Sequence, residues 1–589
     1  MAMKTLLVSL NSKYVHSSLA PWYLKAYCGN RFGDIRVLEF TINDVPGSVL
    51  SAIYAEKCDT VAFSCYIWNI RNVLDIASDL KKLSPETVII SGGPEVSFGS
   101  EEFMADHPYM DYVIRGEGEK TFSLLLEFLN GNGAVKPEYI PGLVYRHNNS
   151  VFSNKNDFFI EDLDSIPSPY TDEMISSIGN RIAYFESSRG CPFSCSYCLS
   201  SVYDGVRYFS TERVYSDLGR LVRAGVKQVK FVDRTFNCSR ERARRIFEFV
   251  IRNAGGTSFH FEAAADLFDD ETLRMLEKAP AGLIQLEIGV QTTNPDSLRM
   301  VNRATDLEKV FQNIEKLRKF NNIHLHLDLI AGLPAEDFKS FADSFDAVYG
   351  LRPHNLQLGF LKLLKGSRIR DEADRYGYVF SKRPPYEVLR NKFVSYEEIA
   401  ALKGIEELLE RYYNSGRFGA TLRLVTGNFF NGPFDFFRQF LSYNLERKLL
   451  RSPVHSRELY TIMLDFLKSR PDPGSHLPAI IEALKLDFLS SHNSEGLPRG
   501  LDRNPDRDFK ARCFDFLRNP KNIDRYFEEY SGIPAKEINK KVHFEVFSFD
   551  LLQRPGEIPP ERKKTVVAFN YGRKDRVTGL YEHKAVPFF

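Results

Sequence analysis

Short apolar runs alternate with amphipathic stretches along most of this chain, and the two periods separate strands from helices. Continuous or alternating apolar runs predict strands at Thr5–Leu10, Ile35–Phe40, Thr60–Ser64, Val88–Ser91 and Tyr112–Ile114. Between them apolar residues return every three or four positions, as in Ile70–Lys82 and Lys120–Leu129, which predicts helices. Strand–helix alternation builds a parallel, doubly wound sheet, here over residues 1–130. Residues 131–180 break the pattern and read as a connector. Gly142-Leu-Val-Tyr-Arg and Val151-Phe flank Asn148-Asn149-Ser150, a hairpin signal, and the two prolines of Asp162–Tyr170 suit an extended linker.

From 181 to 375 strand and helix alternate six times. Strands are predicted at Ile182–Ser187, Gln228–Val232, Ser258–Ala263, Leu283–Ile288, His324–Leu329 and Leu356–Leu361. Helices between them include Thr211–Ala224, Ser239–Ala254, Asp270–Lys278, Leu307–Phe320 and Phe338–Gly350, several opening on Ser, Thr or Asp. Six such units make a partial (β/α)6 barrel. Residues 376–589 are mostly helical, as in Tyr396–Tyr413, and end in strands at Val542–Phe549 and Thr565–Phe569 around Pro555–Pro560. The phenylalanine-rich Asn428–Leu441 reads as core rather than as the lining of a substrate pocket. The last twenty residues read as a tail or terminal flap. The fold class is α/β throughout the first two thirds.

Composition narrows the function classes. At 589 residues the chain exceeds one core and should hold three or four domains. A net charge of +1 leaves no electrostatic footprint for nucleic acid or an anionic membrane. There is no run of 18 apolar residues and so no predicted membrane span. The apolar N-terminus is a first strand rather than a signal peptide, because Asn11, Lys13 and His16 interrupt it early. The eight cysteines are sparse and three are clustered, which indicates a cofactor rather than a disulfide frame.

That cluster is Cys191-Pro-Phe-Ser-Cys195-Ser-Tyr-Cys198. A structural 4Fe–4S centre takes four thiolates; three on one loop leave one iron open to a small molecule. Tyr197 beside the last cysteine would lie flat against a bound purine. A three-cysteine zinc site is the alternative, but zinc wants a fourth ligand and there is no Cys or His between Cys198 and Cys238. Cys28, Cys58, Cys65, Cys238 and Cys513 share no ligand spacing. Ligands of parallel sheets bind at the carboxyl ends of the strands. In the first domain those ends carry Asn11–His16, Ser64–Trp68, Gly92-Gly93-Pro94-Glu95 and the Arg115–Glu119 segment. In the barrel they carry Asp233, Glu262 (a ligand of ribose or substrate, or a barrel salt bridge), Gln291 and the Gly332–Pro334 turn. His324 and His326 read as barrel-interior residues without a third metal ligand.

At the CxxxCxxC loop the chain resembles the radical SAM superfamily, and the order of segments around it strengthens the likeness. The resemblance implies a 4Fe–4S cluster on Cys191, Cys195 and Cys198 that reductively cleaves S-adenosylmethionine, generating a radical that takes hydrogen from a substrate. An external electron donor such as flavodoxin or ferredoxin follows, as does the cytoplasm of an anaerobe. Asp233, in Asp-x-Thr-Phe, would hold the methionine amine; Gln291 its carboxylate or the ribose; the turn at Gly332 the adenine. The first domain resembles the cobalamin-binding domain preceding many radical SAM cores. Ser64, Gly92 and Gly93 match positions that hold the nucleotide tail of cobalamin, and Glu117 belongs to a segment usual at that domain's end. The Asp-x-His-x-x-Gly loop that supplies a lower cobalt ligand is missing, so His16 is not carried over as one. The last third resembles an uncharacterised extension on one group of cobalamin radical SAM proteins. Methylation of an unactivated carbon is the implied reaction. Cobalamin-dependent rearrangement or cyclisation, a methylthiotransferase-like activity and non-catalytic cofactor binding are the alternatives; the substrate, small molecule or peptide, is not named by any residue.

Overall fold

The computed structural model describes residues 3–587 apart from 132–134, 149, 156–158, 203–204, 451, 453, 472–473, 494–495, 504–507 and 553–559. Five strands, β1 (Lys4–Asn11), β2 (Asp34–Thr41), β3 (Thr60–Ser64), β4 (Val88–Gly92) and β5 (Tyr112–Ile114), form a parallel sheet in the order β2-β1-β3-β4-β5. Successive side chains point to opposite faces. Val8, Phe63 and Ile89 enter one apolar core, while Leu7, Ala62 and Ile90 enter the other. Both faces are covered by helices, which is why β1 reads as a continuous apolar run instead of alternating. The hairpin β6 (Leu143–His147) and β7 (Ser150–Ser153) does not stand free in the connector: β6 pairs antiparallel with β5 and extends the first sheet to seven strands. It covers what would be an open edge. Asn149 of the hairpin signal lies outside the described residues.

The barrel begins at β8 (Ala183–Phe185). The run predicted to continue to Ser187 breaks there, and β9 (Ser188–Gly190) turns away to pair antiparallel with β10 (Val206–Tyr208). Five more strands follow: β11 (Gln228–Phe231), β12 (Ser258–Glu262), β13 (Ile284–Gln291), β14 (His324–Ala331) and β15 (Asn355–Phe360). The order β15-β14-β13-β12-β11-β8 is parallel throughout and leaves the barrel open between β8 and β15. Along β13 and β14 burial alternates strictly. Leu286, Ile288, Leu325 and Leu327 pack into the large core, so Glu287, His326 and Asp328 face the lumen from the other side of the sheet. The lumen is thus lined by polar side chains.

A short hairpin, β16 (Val379–Phe380) with β17 (Val388–Arg390), leads into the last third. The helix Tyr396–Leu408 starts at a capping box of Ser395 and Glu398 and runs on through a wider turn to Asn414. Phe434, Phe436, Phe437 and Phe440 are buried, so the phenylalanine stripe is core. The antiparallel sheet β18 (Val542–Phe549), β19 (Arg562–Lys574) and β20 (Tyr581–Val586) ends the chain. Residues 555–559 of the proline-rich segment lie outside the described residues. This sheet meets the amino end of the barrel: a Cβ on Gly282, two residues before β13, would lie 2.5 Å from Arg576 O. Among the described residues no helix is long and apolar enough to cross a membrane.

Candidate functional site

The three-cysteine loop sits between β9 and β10 and is fastened at several points. Ser196 N bonds to Val301 O at 2.9 Å and Ile369 N to Ser196 O at 2.9 Å. Ser201 Oγ donates to the carbonyls of Cys195 and Cys198 at 3.0 and 2.6 Å, and Asn302 Nδ2 donates to Ser194 O at 3.2 Å. All three thiols are free; Cys195 is buried and the other two half-buried. Cys191 Sγ lies 3.5 Å from Thr235 Oγ1. A single zinc ion would bring thiolates within about 3.8 Å of one another. Among the described residues, however, the only trio of donor atoms all within 4.8 Å lies elsewhere. The wider spread of these sulfurs fits a multi-iron cluster, each thiolate on its own iron.

Arg303 completes this site, and nothing in the sequence near the cysteines announced it. Its Nη1 donates to Cys195 Sγ at 3.8 Å and to Tyr197 Oη at 3.4 Å, and its Nη2 donates to Gly289 O at 2.5 Å. Burial raises the Tyr197 pKa, against the opposing pull of Arg303. Its ring packs on the apolar cluster of Val301, Leu333 and Leu363. Gln291 stands at φ +72°, with its Oε1 buried and without a partner; Arg303 Nε is likewise unpaired. One free acceptor and one free cationic donor beside the loop fit a ligand with both a hydroxyl or ammonium and a carboxylate, as S-adenosylmethionine has. Glu262 faces the lumen with Lys230 Nζ at 3.8 Å. Burial pushes its carboxyl up to about 7, against the pull of Arg234 and Lys230.

Three expected ligands have other tasks. Asp233 is 1% exposed and accepts hydrogen bonds from Ser187 N, Ser187 Oγ and Ser188 Oγ at 3.0, 2.7 and 2.5 Å. It ties the end of β11 to the β8–β9 corner and presents no open face to a methionine amine. The Gly332 carbonyl already accepts from Tyr378 Oη at 2.9 Å and Asn391 Nδ2 at 3.0 Å, so it is not available to adenine. Glu117 joins the two domains. It pairs with both Arg207 nitrogens, accepts from Ile160 N at 3.1 Å and lies 3.4 Å from Arg189. Burial works against its ionisation, but the arginines hold its pKa below the usual range.

In the first domain Ser64 and Gly92 end neighbouring strands and pair with each other. Gly93 follows at φ +109°, and a Cβ there would sit 2.6 Å from Cys65 O. Tyr66 and Trp68 stack 4.3 Å apart just beyond Ser64; Trp68 is 44% exposed, with Nε1 donating to Leu10 O at 3.2 Å. This flat apolar face beside the two strand ends suits a large planar ligand. His16 lies on the seam with the barrel, its Nδ1 2.6 Å from Tyr184 Oη, and burial lowers its pKa. Ser17 Oγ donates to Ile182 O at 2.7 Å and Arg181 pairs with Glu39 at 2.8 Å, so the carboxyl ends of the first sheet lie against the barrel.

Models of three protein families match the chain: the B12 binding domain over 5–126, the Radical SAM superfamily over 185–348 and a protein of unknown function (DUF4080) over 374–569. The 2-(S-pantetheinyl)-carbapenam-3-carboxylate methyltransferase of Streptantibioticus cattleyicolor is 28% identical over 308 residues, 49% of this chain and 44% of that protein. The anaerobic magnesium-protoporphyrin IX monomethyl ester cyclase of Rubrivivax gelatinosus is 26% identical over 55% of this chain and 59% of its own length. The chain thus spans about half the length of these curated relatives. The cobalamin-dependent S-adenosylmethionine radical enzyme OxsB, solved with aqua-cobalamin bound, shares the fold at a TM-score of 0.58 and 14% identity, over 90% of this chain and 84% of that one.

Proposed function

We propose that the chain is a cobalamin-dependent radical SAM enzyme that methylates an unactivated carbon of its substrate. The observation that carries this is the set of three free thiols on one fastened loop, spread too widely for one metal ion, at a barrel whose neighbour domain matches a B12-binding family. The bound groups would supply the chemistry: an electron to cleave S-adenosylmethionine, and a methyl group carried by cobalamin. The chain's residues do the rest. Cys191, Cys195 and Cys198 hold the cluster, and Arg303 places a positive charge against Cys195. Gln291 and Arg303 orient the methionine and ribose ends. The strand ends at Ser64 and Gly92, with the Tyr66–Trp68 face, hold cobalamin toward the barrel. The seam around Glu117 and His16 keeps the two sites facing each other and dry.

Cyclisation or rearrangement without methyl transfer is the second reading, favoured by the likeness to the ester cyclase. An external one-electron donor and a compartment low in oxygen belong to either reading. The test is anaerobic reconstitution of the full chain, with iron and sulfide assayed and deoxyadenosine counted after adding S-adenosylmethionine and reductant. One 4Fe–4S cluster and deoxyadenosine formation are expected, both lost in Cys195→Ala. A full cluster retained by the triple cysteine-to-alanine chain would overturn the assignment, and absence of S-adenosylmethionine cleavage would leave a cofactor-binding protein. Labelled S-adenosylmethionine then separates methylation from cyclisation by whether the product gains a labelled methyl group.

A further inference from the structure

A second donor set faces the lumen from three adjacent strands, and neither the cysteine loop nor the first domain uses it. Glu287 on β13 and His326 and Asp328 on β14 each bring one ligand atom within 4.8 Å of the others. His260 on β12 lies beside this trio, its Nε2 2.8 Å from a Glu287 oxygen, while His326 Nε2 lies 3.0 Å from an Asp328 oxygen. These are ion-pair separations, His260 facing Glu287 and His326 facing Asp328. His260 Nε2, His326 Nε2 and Asp328 Oδ1 are sealed from solvent and make no well-aligned hydrogen bond beyond these contacts. The His260 side chain is only 9% exposed, so water does not satisfy it. Orphaned buried donors and acceptors of this kind are rare in folded proteins and call for a missing partner. A cation among Glu287, His326 and Asp328 would give His326 Nε2 and Asp328 Oδ1 that partner at once.

We propose that Glu287, His326 and Asp328 bind one divalent transition-metal ion in the barrel lumen, with His260 holding Glu287 from the side. One imidazole with two carboxylates makes a borderline set, suited to Mn²⁺, Fe²⁺ or Zn²⁺ rather than to the all-oxygen shells of Ca²⁺ and Mg²⁺. Lys230 now neutralises Glu287 at 2.9 Å and has Glu262 as a second partner at 3.8 Å. The ammonium therefore shifts to Glu262 when the ion takes over Glu287. Three protein ligands leave room for a further oxygen ligand from the lumen, so the ion would anchor a substrate carboxylate, phosphate or hydroxyl beneath the cysteine loop. This site does not depend on the assignment of the cluster.

The experiment titrates Mn²⁺ into the reconstituted, chelator-treated full chain. Mn²⁺ avoids thiolates, and its spin signal and equilibrium dialysis count bound ions. One saturable Mn²⁺ per chain is expected, displaced by Zn²⁺. His326→Ala and Glu287→Gln should each weaken it by at least about tenfold. Lys230→Met should tighten it by removing the competing ammonium, a gain that a purely structural charge network does not predict. Cys195→Ala should leave it intact, so loss of the cluster and loss of this site are separable. No saturable binding of Mn²⁺ or Zn²⁺ by the wild-type chain, or equal binding by a folded His326→Ala chain, overturns the proposal. If His326→Ala does not fold, weaker or unchanged binding by Lys230→Met overturns it.

Discussion

Gly92 and Gly93 lie side by side at the proposed cobalamin tail site, yet the structure predicts opposite consequences for substituting them. Gly93 adopts φ +109° and ψ 173°, a region in which essentially only glycine is found. A side chain there costs about 1–3 kcal/mol in backbone strain alone. Its Cβ would also sit 2.6 Å from Cys65 O and 3.1 Å from Cys65 N, backbone atoms held by the Cys65 N to Gly92 O bond of 2.7 Å. Relieving such a clash adds about 1–3 kcal/mol. Gly93→Ala should therefore lose about 4 kcal/mol and release cobalamin because the strand end deforms. A Cβ on Gly92, by contrast, meets Ile114 O and Ile114 Cβ at 3.6 and 3.7 Å, ordinary contact. Gly92→Leu should keep its unfolding midpoint close to that of the wild-type chain while its side chain takes the space beside Ser64 that a tail would use. The assay pairs urea unfolding followed by circular dichroism with cobalamin uptake followed by absorbance, and S-adenosylmethionine cleavage as the control for the barrel. Gly93→Ala as stable as the wild type would refute the steric reasoning. Normal cobalamin uptake by folded Gly92→Leu would move the tail away from these strand ends.

Two further substitutions test single residues. Arg303→Met removes the donor 3.8 Å from Cys195 Sγ; losing about 1 kcal/mol of stabilisation of the reduced cluster should make its midpoint potential more negative by about 40 mV in a spin-monitored redox titration. An unchanged potential would show that the arginine leaves the sulfur once the cluster is in place. Glu336 is 2% exposed, accepts from Thr292 Oγ1 and Ser344 Oγ, and is pushed by burial up to about 7, those two hydrogen bonds opposing the rise. The folded state therefore keeps this proton to higher pH than the unfolded chain does, and stability falls as pH rises from about 4.5 to about 7, by about 3 kcal/mol in all. Glu336→Gln should be more stable than the wild type by up to that amount at pH 8 and indistinguishable near pH 4, and equal stability at pH 8 would disprove the burial argument.

The strands and helices of the first two thirds were legible because local pattern and global role agree. Thr60–Ser64 and Leu307–Phe320 appear with the predicted bounds, and most other ends move by one or two residues. The disagreements fall where a distant partner decides. The strand predicted to reach Ser187 stops at Phe185, because Val206–Tyr208 draws the following Ser188–Gly190 into a separate ladder. The hairpin β6–β7 looks like part of a linker, but the free edge of β5 captures it.

The site divides along the same line. The cysteines stand out in the sequence because their spacing is set within eight residues of one loop. Asp233, Glu117 and Gly332 were each placed correctly at a strand end and yet are committed elsewhere, because residues 46 to 90 positions away reach them first: Ser187 for Asp233, Arg207 for Glu117, Tyr378 for Gly332. A strand end supplies position, whereas availability depends on what else the fold delivers there. The lumen cluster is the converse case. His326 reads alone as an interior histidine, since its candidate co-ligand Glu287 is 39 positions earlier and His260 still farther, each on its own strand. Only the parallel register, which sets Glu262, Glu287 and His326 side by side, turns isolated polar residues into a donor set. The measure of a candidate ligand in such a barrel is therefore the bond it has not yet made: Asp233 has none to spare, while Gln291 keeps a buried atom unpaired and His326 holds its own only in an ion pair with Asp328.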